Sequence, residues 1–132
     1  MKAIDTNVLV RFLLNDDPAQ STKAKSLFLE TEKRGESILI ADLTVLEMIW
    51  VLRSAYRLAR HQILVAIQKL AGLAIVRFQD PDVVTRFIET ALKEKGELDD
   101  LFIGVVARAN GAETTVTFDK NAAKSSLFTL LK

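Results

Sequence analysis

Acidic residues stand at four places in this chain where a solvated charge has no ordinary reason to be. Asp5 interrupts the apolar opening "MKAIDTNVLVRFL", together with Thr6 and Asn7. Glu47 lies inside "TVLEMIWVL", where a glutamate is expected to be neutral, paired or associated with a metal. Asp99 and Asp100 precede the apolar run "LFIGVVARA", and Asp119 follows the strand-like "TVTF". Each has a bland alternative. Asp5 and Asp119 can cap helices, Glu47 can pair with an arginine, and aspartates favour helix starts. One cap suffices for one helix, however, which leaves the second acid of the Asp99–Asp100 pair to be explained. Carboxylates delivered to a single crevice repel one another and raise their own pKa values unless a cation sits among them. Hard oxygen ligands without histidine or cysteine select magnesium or manganese. Such an ion suits phosphodiester hydrolysis, because it activates a water as nucleophile and stabilises charge on the phosphate and the leaving oxygen.

The elements that must position these acids follow from the pattern of the chain. "KAID" reads as a short strand and "TNVLVRFLLN" as a helix stopped by "NDDP". Asp17 and Pro18 are an N-cap and first helical residue for "PAQSTKAKSLFLETEKRG", which Gly35 closes. "SILIA" is a buried strand, "DLTVLEMIWVLRSAYRL" a helix apolar nearly all round, and "RHQILVAIQKLAG" an amphipathic helix ending at Gly72. "LAIVRF" reads as a strand, "DPDVVTRFIETALKEKG" and "LDDLFIGVVARANG" as helices, and "ETTVTF" as a strand. "DKNAAKS" and "LFTLL" supply a last helical turn and an edge strand. Short apolar strands alternating with helices predict an α/β fold with a mostly parallel central sheet flanked by helices. In such a sheet ligands bind beyond the C-terminal ends of the strands, where Asp5 and Asp119 fall.

Composition narrows the function further. The 132 residues carry 49% hydrophobic and 27% charged side chains, which suits one domain spanning residues 1–132. Net charge is only +1, so no global field draws the chain to nucleic acid or membrane. The absence of cysteine excludes disulfides, thiol catalysis and cysteine-bound zinc. A single histidine, His61, excludes a nuclease built on two, and reads as a surface or helix-start residue. The N-terminus does not read as a signal peptide, and the apolar stretch "LTVLEMIWVL" is too short to span a bilayer. A cytoplasmic location without membrane attachment is expected. Glu30, Glu32, Glu89 and Glu94 fall on polar helix faces, and Asp16, Asp17, Asp80 and Asp82 in turns or helix starts, so these read as structural.

"IDTNVLVRFL", "LTVLEMIWVL", "DDLFIGVVARANG" and "TVTFDKNAA", in that order and spacing, resemble a PIN domain of the VapC type, the toxin halves of toxin–antitoxin pairs. The resemblance covers essentially the whole chain. It implies an endoribonuclease dependent on Mg2+ or Mn2+, with Asp5, Glu47, Asp100 and Asp119 as its catalytic and metal-binding acids. It also implies supporting roles for Asn7, which accompanies the first acid, and for Thr117, the hydroxyl residue before the last. The residue before the third acid is more often small or apolar in that family, so Asp99 is a departure that bears on the choice between Asp99 and Asp100. The resemblance further implies an RNA substrate, a VapB-type antitoxin whose C-terminal segment enters the active-site groove, and a homodimer.

The residues bear on some of these implications independently. The helix from Leu43 to Tyr56 carries more apolar surface than one sheet face needs, which suits a subunit interface, although Trp50 and Tyr56 also fit a core. Arg53, Arg57 and Arg60 recur at near-helical spacing and can either meet RNA phosphate or solvate a helix face. Rival readings fare less well. A haloacid-dehalogenase-like phosphatase needs an aspartate where Asn7 stands, a receiver domain needs an acidic pair after its first strand, and no P-loop lysine motif is present. Two alternatives stay open: a non-catalytic binding module whose acidic pocket receives a basic partner peptide, and a metal-dependent DNA nuclease.

Overall fold

Ile38 and Ile40 alternate with Leu39 in the strand β2 (Ile38–Ile40), and both isoleucines are wholly buried. The two isoleucines share one face of the strand, and Leu39 on the other is half-buried, as suits a strand with neighbours on both sides. β2 indeed lies between β1 (Lys2–Ala3) and β3 (Val76–Phe78), parallel to both, with Ala3 opposite Leu39 and Ile40 opposite Phe78. The computed structural model describes residues 1–132, which form two compact units, 1–80 and 81–132.

In the first unit, β1 leads through α1 (Thr6–Leu13) and α2 (Pro18–Lys33) to β2, and β2 leads through α3 (Asp42–Ser54) and α4 (Arg60–Ala71) to β3. Asp17 caps α2 as the sequence predicts, its Oδ1 accepting a hydrogen bond from the Gln20 N–H at 3.1 Å, with Pro18 at the first helical position. Gly35 follows the helix with φ +67°, the left-handed turn that favours glycine. The buried residues of α3 are Val45, Met48, Ile49 and Leu52, spaced as one stripe of an amphipathic helix. That stripe packs inward and leaves the opposite face to solvent. Trp50, for which a core place also fitted, is 56% exposed, and Leu43 is 79% exposed.

The expected continuation of α3 to Leu58 does not form. The helix ends at Ser54, and Arg57 adopts a left-handed backbone with φ +55° before α4 begins at Arg60. Arg53, Arg57 and Arg60 therefore do not share one helical stripe. A clasp holds this region instead. The Tyr56 hydroxyl donates to Asp16 Oδ2 at 2.7 Å and accepts from Arg11 Nη1 at 2.8 Å, while Arg11 Nε donates to Gln20 Oε1 at 2.7 Å. The hydrogen bond from Tyr56 holds the Asp16 carboxyl below the usual carboxylate range.

The second unit contains α5 (Pro81–Lys93), α6 (Leu98–Ala109), β4 (Thr115–Thr117), a short 3-10 turn (Ala122–Lys124) and β5 (Phe128–Leu130). β4 and β5 pair in parallel, Thr117 opposite Leu130. The last strand thus has a partner, as an edge strand requires, and all the strand pairs of the chain are parallel. The strands divide between two sheets, one in each unit. The core of this unit joins α5 to α6: the rings of Phe87 and Phe102 meet edge to face at 5.3 Å and 81°. Gly104 lets α6 approach the sheet, for a Cβ there would come within 2.9 Å of the Leu127 Cβ and 3.0 Å of the Phe128 ring.

Candidate active site

Parallel strands end at one edge of their sheet, and in the first unit each strand is followed by an aspartate. Asp5, Asp42 and Asp80 each lie two residues past the last residue of β1, β2 and β3. The second unit repeats the relation, with Asp119 two residues past β4. The sequence reading singled out Asp5 and Asp119, left Asp42 unremarked and set Asp80 aside as structural. The recurring strand-x-Asp spacing was the available signal for all four.

Asp5 sits at the N-cap of α1, where its Oδ1 accepts from the Val8 N–H at 3.0 Å. The cap uses that oxygen and leaves the other outside the turn. Asp5 is exposed, not buried as its apolar neighbours suggested. It opens onto a groove of about 370 Å³ that it lines together with Asn7, Val8, Gln20 and Lys23. Asn7 thus shares a cavity wall with Asp5.

Glu47 is also exposed, contrary to the expectation drawn from its flanking residues. Its neighbours in sequence point inward, but the buried stripe of α3 passes it by. Leu43, Glu47 and Trp50 form a second stripe on the outward face, at the same helical spacing. Arg53 is half-buried on the same helix, and Arg57 is exposed beyond its end.

In the second unit, α6 begins at Leu98, so Asp99 and Asp100 are its second and third residues. Neither caps the helix, because Glu97 holds the N-cap position. Both are half-buried in the first turn, where negative charge meets the positive end of the helix dipole. Asp99 Oδ1 accepts from the Asp100 N–H at 3.0 Å, so Asp99 spends an oxygen on its neighbour's backbone. Asp119 is exposed, and its Oδ1 accepts from the N–H groups of Asn121 at 2.8 Å and Ala122 at 3.4 Å. The Thr117 hydroxyl accepts from the Asp119 N–H at 3.0 Å and so fixes the backbone that carries the acid. Asp5 and Asp119 therefore share a construction: one oxygen is tied to a following turn and one is kept out of it.

Within neither unit do three or more histidine or acidic side chains gather as a ready-made metal cage. The donor chemistry is nonetheless that of a hard divalent ion. The acids at the strand ends and helix starts offer carboxylate oxygens alone, and magnesium habitually completes its shell with water and substrate oxygens.

Asp42 and Asp80 form an acidic pair. The Asp42 carboxyl is pushed up to about 6, first by burial and then by the hydrogen bond to Asp80 and its charge. Asp42 Oδ1 is buried without a partner, while the Asp42 N–H donates to Gln79 Oε1 at 3.0 Å. A folded value above the unfolded one means that the native state holds the extra proton. The stability this contributes is fully present below about pH 4 and is lost as pH rises through about 6. Asp80→Asn removes the repelling charge and is expected to flatten that dependence without abolishing it, since burial remains. In chelator at about pH 7.5 the variant should melt roughly 2–5 °C above wild type, and near pH 4.5 the gap should close. Melting curves of both proteins across this range check it, and a variant less stable at the higher pH contradicts it.

The family profile described as PIN domain matches residues 2–126. Among characterised proteins the chain is similar to a VapC ribonuclease of Aquifex aeolicus (strain VF5), at 23% identity over 124 residues, covering 94% of this chain and 91% of that protein. No helix is long and apolar enough to cross a membrane.

Proposed function

This chain belongs to the PIN-domain family, and from that premise we propose that residues 1–132 act as one nuclease domain, a divalent-metal-dependent endoribonuclease serving as the toxin of a VapBC-type pair. The observation that carries the reading is the matched construction of Asp5 and Asp119. Each follows a parallel strand, and each is anchored through one carboxylate oxygen so that the other keeps a defined direction.

In this reading Asp5, Glu47, Asp100 and Asp119 would hold Mg2+ or Mn2+, which would supply the charge that activates water at neutral pH and offsets charge on the phosphate. Asp100 takes precedence over Asp99 because it stands directly before the apolar run "LFIGVVARA", the place of the third acid in the family. Asn7, on the groove wall with Asp5, offers an amide to orient water or a phosphate oxygen, and Thr117 keeps Asp119 in register. Arg53 and Arg57 contribute phosphate contacts. The protein acts as a homodimer in this reading, and a VapB-type antitoxin occupies the groove beside Asp5. A cytoplasmic location fits such a partner and substrate.

The test is incubation of the pure protein with total RNA and, separately, with single-stranded DNA, in chelator, magnesium or manganese. RNA cleavage is expected with either metal and none with chelator, leaving 5′-phosphate and 3′-hydroxyl ends. A 2′,3′-cyclic phosphate would show that the RNA's own hydroxyl attacks, which overturns the water mechanism. Cleavage of DNA alone overturns the ribonuclease reading, and metal-independent peptide binding without cleavage favours a binding module.

A further inference from the structure

Phe118 is 79% exposed, an unusual place for a phenyl ring, and it immediately precedes Asp119. Val116 and Phe118 lie on the same outward face of the β4 segment, two residues apart, and Val116 is 57% exposed. Leu131, 50% exposed, stands beside them, its N–H donating to the Thr117 carbonyl at 2.8 Å. The ring contributes little to the folded core, yet its backbone is firmly held. The Thr117 carbonyl takes part in the hydrogen bond from Leu131, the Thr117 hydroxyl accepts from the Asp119 N–H, and Asp119 Oδ1 closes the turn that follows. Exposed Lys120 and Lys124 come next in the chain.

We propose that Phe118 is a stacking platform for an unpaired RNA base, fixed one residue from Asp119 so that the phosphate next to that base is presented to the acid. The inference rests on the ribonuclease reading above and goes beyond it by naming a positioning residue. An exposed aromatic on a hydrogen-bonded backbone, followed in the chain by lysines, is what single-stranded nucleic acid binds: bases stack on the ring while cations track the backbone. A protein partner is the competing occupant of the exposed Val116, Phe118 and Leu131 side chains, and the cationic Lys120 and Lys124 that follow in the chain favour a polyanion over it. Stacking requires a base free of its own helix, so the substrate is a loop or single strand, not a duplex.

The experiment uses an RNA oligonucleotide spanning a cleavage site mapped in total RNA, cut under steady-state conditions with magnesium. Phe118→Ala is expected to raise KM about 5- to 150-fold, the range that loss of one base–aromatic stack produces, with kcat within a few-fold of wild type. Phe118→Tyr and Phe118→Trp should restore KM, whereas Phe118→Leu, apolar but without a stacking face, should not. Annealing the oligonucleotide to its complement should suppress cleavage by wild type. Solution mass should be the same for wild type and Phe118→Ala. An unchanged KM in an active Phe118→Ala variant overturns the inference, as does rescue by leucine equal to that by tyrosine. A KM rise that tracks a change in solution mass overturns it in favour of a protein interface. If wild type cleaves no RNA, the ribonuclease reading fails, and the inference with it.

Discussion

Asp5→Asn is expected to lower the rate of RNA cleavage by at least about 100-fold, a loss of roughly 3 kcal/mol of transition-state stabilisation, while leaving the melting temperature in chelator almost unchanged. The two halves of this expectation come from the two oxygens of one side chain. As N-cap of α1, Asp5 accepts from the Val8 N–H through Oδ1, and an asparagine oxygen performs that task equally well. The amide lacks the negative charge a divalent ion needs. Magnesium should therefore raise the melting temperature of wild type and have a much smaller effect on the variant, because only a ligand held by the native state stabilises it. Asp119→Asn should behave alike, since its Oδ1 serves the following turn in the same way. Glu47→Gln and Asp100→Asn should also lose orders of magnitude in rate, and Asp99→Asn should stay within a few-fold of wild type. An Asp5→Asn protein that cuts at the wild-type rate would reduce Asp5 to a helix cap. A dead Asp99→Asn beside an active Asp100→Asn would move the third acid by one residue.

The largest expected effect on stability lies in the second unit. Phe87→Ala should cost about 3–5 kcal/mol, a large part of the roughly 5–15 kcal/mol that holds a domain of this kind together. Phe87 is fully buried, and its ring meets the Phe102 ring edge to face, so truncation removes apolar burial and opens a cavity between α5 and α6. Phe87→Leu should recover much of the loss. Phe118→Ala supplies the contrast: the same truncation at a ring 79% exposed should shift the urea midpoint hardly at all. Urea titrations of the three variants against wild type measure the ordering directly. A Phe87→Ala protein as stable as Phe118→Ala would contradict the burial of this core.

Much of this architecture was written locally in the chain. Asp17 followed by Pro18 announced the start of α2, and Gly35 its end, because caps and left-handed turns depend on a few adjacent residues. The acids at the ends of β1 and β4 were legible for the same reason. Glu47 was misjudged because the residues beside it were weighed by composition and not by period. Val45, Met48, Ile49 and Leu52 already mark a complete helical stripe, which leaves Glu47 on the other face with Leu43 and Trp50. The Asp42–Asp80 pair was out of reach of such local reasoning. It arises because β2 and β3 are neighbours in register, a non-local fact that no window of adjacent residues contains. The break at Arg57 was hidden for the opposite reason: its left-handed backbone occurs at a residue that rarely takes one. The division of the strands between two sheets likewise depends on pairing choices between distant segments.

The shortness of the strands bears on how the protein behaves at high concentration. A long, flat edge strand is a template on which a second chain can pair, and such edges begin fibres and precipitates. Here the edges of the first sheet are β1, with two residues, and β3, with three. Each carries an exposed cation, Lys2 on β1 and Arg77 on β3, which discourages a like-charged copy from aligning. In the second sheet both strands are edges and neither carries a charge, so brevity alone guards them: Thr115–Thr117 and Phe128–Leu130 offer an incoming chain three residues of backbone each. Lengthening either of those strands by a few β-branched residues would turn a protected margin into an adhesive one.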